Sequence, residues 1–166
     1  FQQGVSGYTG CADNWFFSSS PDFNEGAHSA LSMGREDGFG FSRTLMRWDL
    51  SSISASAVCT AASLQLYDTN YSGRAANNPI NIYQPSVANA DWVAGTAVDA
   101  TQVGSSCWDF KAYNTVLWAG SFGLSTPTTD YINTSLASYT FIDGTSGFAT
   151  INFNASGVAY LQSLLG

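Results

Sequence analysis

Hydrophobic and polar residues alternate along most of this chain, and clusters of Gly, Asn, Asp and Ser interrupt the alternation at short intervals. Residues 13–17 (Asp-Asn-Trp-Phe-Phe) predict a first strand. Residues 29–33 predict a second, entered from a turn between Pro21 and Gly26. Residues 43–50 alternate large and polar side chains, and residues 61–67 place Leu64 and Leu66 on one face. Residues 80–83 and 148–153 repeat the habit. Between them, residues 92–131 hold no steady period and read as crossing loops. Near the end the spacing changes: Val158, Leu161, Leu164 and Leu165 predict a short helix over residues 156–165. Short strands separated by turn signals, with no internal repeat and no linker, predict one all-β antiparallel sandwich domain over residues 1–166.

Composition adds the character of the surface. Only 10% of residues are charged, while 14% are aromatic and 45% hydrophobic. Such a chain folds, and its polar surface is built mostly from hydroxyls and amides. That surface suits neutral, hydrogen-bonding partners such as sugars. The net charge is −7, and the basic residues are Lys111 and four scattered arginines, too few to track a phosphate backbone. Nucleic acid is therefore excluded as a partner. No apolar run approaches the roughly 20 residues of a membrane helix, and the start at Phe1 fits a secreted chain whose leader is gone.

The candidate chemistry is sparse. Cys11, Cys59 and Cys107 lie too far apart for a zinc pattern. In an oxidising compartment they predict one bridge, Cys59–Cys107, with Cys11 left over; three reduced, buried thiols are the alternative. Glycosylation sequons begin at Asn70, Asn133 and Asn154. His28 is the sole histidine and sits in a polar turn, so it reads as a surface residue rather than a catalytic base. Asp91, Asp109, Asp130 and Asp143 show no spacing that marks a catalytic pair, and turn formation accounts for them. A non-enzyme is expected.

Two binding chemistries remain. Calcium needs six to eight oxygens, and the richest local source is Asp13, Asp22, Asn24 and Glu25, with Glu36-Asp37 as a second; ordinary turns explain the same residues. Sugar binding needs exposed aromatic faces, and Trp92, Trp108, Tyr113, Trp118 and Tyr131 concentrate in the least regular part of the chain. Core packing is the competing role for each. Arg43 and Arg47 share one strand face with Asp49, which predicts a buried pair of Arg47 with Asp49 or with a glutamate, or an arginine pair for sugar carboxylates.

Residues 42–53, Ser-Arg-Thr-Leu-Met-Arg-Trp-Asp-Leu-Ser-Ser-Ile, resemble the DNRLRE domains of large secreted prokaryotic proteins. Supporting matches are Gln2 to Tyr8, Ser20 to Gly26, Ala61 to Tyr67, Asp91-Trp92 with Gly95, Trp108, Trp118 to Ser121, and Thr129 to Tyr131. The resemblance implies a jelly-roll-like β-sandwich, extracellular placement, and association with polysaccharide or cell-surface glycan, with structural calcium as a frequent companion. It also implies further strands after residues 158–166; the sequence stops there, so either it is a piece of a longer chain or another chain supplies those strands. Two functions follow as expectations. The first is a non-catalytic carbohydrate-binding or adhesion module. The second is a subunit of an extracellular filament, in which copies of the chain complete one another's sandwich by strand donation.

Overall fold

The structure is a computed structural model that describes residues 1–36, 40–69 and 77–165. Its strands in chain order are β1 (Cys11–Phe17), β2 (Phe23–Asn24), β3 (Gly34–Glu36), β4 (Gly40–Trp48), β5 (Ser63–Asp68) and β6 (Asn78–Ile82). There follow β7 (Ala100–Thr101), β8 (Phe110–Ala112), β9 (Val116–Leu117), β10 (Ala137–Phe141) and β11 (Gly147–Asn152), then the helix α1 (Ala155–Ser163). All pairings between these strands are antiparallel. The expected all-β class with one short C-terminal helix is the observed one.

The chain forms two compact units, each made of two segments. Unit 1 is Phe1–Asp49 with Pro85–Tyr131, and unit 2 is Leu50–Gln84 with Ile132–Gly166. In unit 1, β4 lies between β1 and β3, and β1 runs against β4 from Cys11↔Trp48 to Phe17↔Ser42. The alternation of β1 sends Asn14 and Phe16 inward, where Phe16 joins Leu45, Trp92, Trp118 and Leu124 in one apolar cluster. Burying those five side chains contributes about 2 kcal/mol each. β2 pairs with β7, and β8 with β9.

Residues 29–33 are not a strand. They follow the edge of the sheet through side chains instead: the Thr44 hydroxyl donates to the Ser32 carbonyl at 2.8 Å, and the Ser32 and Ser42 hydroxyls lie 3.1 Å apart. Pairing begins only at Gly34, opposite Ser42.

In unit 2, β5 pairs with β11 and β6 with β10. Leu136, Ala137, Phe141, Ala149 and Ile151 supply its buried apolar positions. Asn154 caps α1, its Oδ1 accepting the Gly157 N–H at 3.0 Å, while its Nδ2 donates to the Ser135 carbonyl. This sequon side chain is thus engaged in the fold; Asn133 is exposed, and Asn70 lies outside the described residues.

Candidate functional site

Of the five aromatics expected to bind sugar, Trp92 and Trp118 are core, and Trp108, Tyr113 and Tyr131 are half-buried. Trp92 is 3% exposed and Trp118 5%, and the Trp118 indole N–H donates to the Cys107 carbonyl at 2.9 Å. The Trp92 ring is covered by the Arg47 guanidinium at 5.2 Å, and Arg47 also donates to the Trp92 carbonyl. Arg43 repeats this arrangement over Trp108 at 5.6 Å and donates to the Ser125 hydroxyl. Gly123 closes on the same Trp108 ring: a Cβ there would meet Cζ2 at 2.5 Å. Tyr113 packs edge-on against Phe110, and Tyr131 is half-buried at bridges to Pro85 and Pro127. Arg43 and Arg47 therefore sit against tryptophan faces on either side of Leu45, where cation–π attraction offsets part of their desolvation.

Of the four expected calcium ligands, Asn24 and Glu25 engage backbone N–H groups with their side-chain oxygens. Asp13 and Asn14 are successive in β1 and point to opposite faces. Asn24 Oδ1 accepts the Gly26 and Ala97 N–H groups, and its Nδ2 donates to the Ala94 and Ser106 carbonyls. Both Glu25 oxygens accept the Asp99 N–H at 3.2 Å. Burial pushes the Glu25 carboxyl above its ordinary range, and the Asp99 carboxylate adds to this, against the lowering effect of that hydrogen bond. Among the described residues no group of three His, Cys, Asp or Glu side chains is arranged for a metal ion. Asp37 lies outside the described residues.

Two buried polar knots are built on Asn14 and Asp130. In the first, fully buried Asn14 donates from Nδ2 to both the carbonyl and the hydroxyl of Ser106 at 2.8 Å, and accepts the Glu25 N–H. In the second, fully buried Asp130 accepts the N–H groups of Gly120, Ser121 and Thr126 at 2.8, 3.0 and 2.8 Å, and Asn89 Nδ2 at 3.1 Å. A Cβ on Gly120 would fall 2.8 Å from this carboxylate, so glycine is required there.

The cysteines are three free thiols, and the expected Cys59–Cys107 bridge is not formed. Cys107 is wholly buried, and burial pushes its thiol up to about 11. Cys11 borders an open cleft of about 460 Å³ beside Arg47 and Asp49, but burial and neighbouring Asp13 raise its thiol too, so it is no activated nucleophile. Iodoacetamide is expected to add two groups to the native chain, at Cys11 and Cys59, and a third at Cys107 only in denaturant. Intact-mass measurement reads the adducts, and a third native adduct would contradict this burial.

Phe1, Phe41 and Phe122 are exposed in unit 1, and unit 2 carries an exposed aromatic pair on a strand ladder. Opposed pairs on β5 and β11 are Ser63↔Asn152, Leu64↔Ile151, Gln65↔Thr150, Leu66↔Ala149 and Tyr67↔Phe148. Ala149 and Ile151 are buried, which turns the other register outward. The outward face therefore carries Ser63, Gln65 and Tyr67 beside Asn152, Thr150 and Phe148, all exposed. Tyr67 and Phe148 are 60% and 71% exposed, with their rings 5.2 Å apart and edge to face. The six side chains carry no charge and extend about 13 Å along the strands. Asn81 and Ser138, opposed on β6 and β10, form a second exposed uncharged pair. The signal for this face was present in the alternation itself: Tyr67 and Phe148 fall on the polar side of otherwise regular amphipathic strands.

Charge is distributed unevenly. Unit 2 contains only three charged residues, Asp68, Arg74 and Asp143, so the acidity of the chain belongs almost entirely to unit 1.

No family model matches this chain, and neither does any curated protein or solved structure.

Proposed function

We propose that this protein is a non-catalytic carbohydrate-binding module, acting outside the cell, whose binding face is the outward side of β5 and β11. The observation that carries the reading is the exposed Tyr67–Phe148 pair at the end of a ladder of uncharged amides and hydroxyls. Aromatic rings offer flat apolar area for the C–H faces of sugar rings. Ser63, Gln65, Thr150 and Asn152 offer both donors and acceptors to sugar hydroxyls. An open strand face accommodates an extended polymer rather than a single enclosed ring. The near absence of charge in unit 2 selects neutral polysaccharide, and the net −7 of the whole chain disfavours acidic polymers. The family resemblance of residues 42–53 points to the same class of ligand.

Affinity electrophoresis through gels containing neutral or acidic polysaccharides tests this. The protein is expected to be retarded by at least one neutral polymer, with little dependence on salt. Tyr67→Ala and Phe148→Ala are each expected to weaken retention about tenfold, equivalent to roughly 1.4 kcal/mol. Their far-UV spectra should match the parent, because both side chains lie outside the core. Absence of retention by every neutral polymer, or unchanged retention of the double variant, would refute the reading.

A further inference from the structure

The phase of the β5–β11 ladder is set by the Phe153 N–H, which donates to the Ala62 carbonyl at 3.0 Å, one pair beyond Ser63↔Asn152. Backbone groups of the even-numbered β5 residues therefore face β11, and those of Ser63, Gln65 and Tyr67 face the opposite edge. Among the described residues β5 pairs with no strand other than β11, and the outward backbone groups of these three residues meet no backbone partner. The edges of β1, β3 and β6 carry features that oppose pairing. On β1 the Cys11 N–H is taken by the Gln3 side chain, and Asp13 follows it. β3 carries Arg35, and β6 carries Pro79, which has no N–H to offer. β5 has no such feature before Asp68 at its end.

We propose that two copies of this chain pair through the open edge of β5, antiparallel and related by a two-fold axis at Gln65. The edge is self-complementary. Ser63 of each copy meets Tyr67 of the other and Gln65 meets Gln65, which allows six backbone hydrogen bonds across the axis. The occupant is a second copy because the edge belongs to the nearly uncharged unit of an acidic chain. Residues 63–67 carry no charge, so two acidic chains bring no like charges together along this stretch, and a charged partner finds no complement there. Pairing would give a continuous four-stranded sheet, with the Tyr67–Phe148 pairs of both copies on its outward face.

Sedimentation of the ligand-free full chain across a wide concentration range tests this independently of sugar binding. An edge contact is smaller than a standard interface, so a concentration-dependent monomer–dimer equilibrium is expected. Gln65→Pro removes a central outward N–H while leaving the bonds to β11, and Gln65→Lys places two ammonium groups side by side. Each is expected to weaken dimerisation at least about tenfold. Circular dichroism and melting identify a variant that fails to fold, and the other then decides. A monomer at every concentration, growth beyond the dimer, or a dimer unaffected in a folded variant would overturn the proposal.

Discussion

Asp130→Asn is expected to destabilise the fold by about 3 kcal/mol at neutral pH, while retaining nearly the same volume. The carboxylate accepts three backbone N–H groups and the Asn89 amide, with no exposure to water. Replacing one oxygen by an NH2 group turns a donor toward donors, whichever way the amide is oriented. The surrounding loop needs this anchor: Leu124 and Thr128 are held at φ 56° and 68°, a region that side chains with a Cβ seldom occupy. Burial alone would raise the Asp130 carboxyl, but the bonds from Thr126, Gly120, Ser121 and Asn89 outweigh it and hold the group below its ordinary value. Its stabilisation is therefore complete above the unfolded carboxyl range near 4, and is lost as pH falls through the lower folded value. Urea melts of parent and variant should differ most at pH 7 and converge toward pH 3. An undiminished difference at pH 3 would show that the ionised carboxylate is not the cause.

Much of this architecture is written in local pattern, and what is not depends on contacts distant in sequence. β1, β4, β5, β6, β11 and α1 follow directly from periodicity, with ends displaced by a few residues. Residues 29–33 have a strand's alternation, yet the His28 ring accepts the Ala30 N–H at 3.1 Å and side chains of β4 take the place of backbone pairing. Alternation cannot distinguish a strand from a segment docked in this way. β2, β7, β8 and β9 are two or three residues long, too short to display a period. The fate of Trp92 and Trp118 depends on Phe16 and Leu45, distant in sequence, so a concentration of tryptophans in loops was equally compatible with a binding surface or a core. For Tyr67 and Phe148 the reverse holds. Their outward position follows from Leu64, Leu66, Ala149 and Ile151 by period two alone. The Cys59–Cys107 expectation assumed an oxidised pair, and both cysteines are free thiols.

Asn14→Asp makes the reverse exchange in the other buried knot and is expected to cost at least about 3 kcal/mol at neutral pH. Asn14 Nδ2 donates to the Ser106 carbonyl and hydroxyl, and that hydroxyl gives its own proton to the Val93 carbonyl at 2.9 Å. An ionised carboxylate there would direct an oxygen at two acceptors, with only the Glu25 N–H on its other side. The introduced carboxyl is therefore expected to ionise well above its unfolded value, because protonation restores one donor. A group whose folded value is raised binds more protons in the native state, so this variant gains stability as pH falls through that value. The two exchanges thus approach the parent in acid for opposite reasons. With Asp130→Asn the parent weakens, whereas with Asn14→Asp the variant recovers. Urea melts between pH 8 and pH 4 separate them, since the Asp130 contribution is still intact over most of that range. A deficit of Asn14→Asp that stays constant across it would mean that shape, rather than the donor turned toward Ser106, is what the site requires of Asn14.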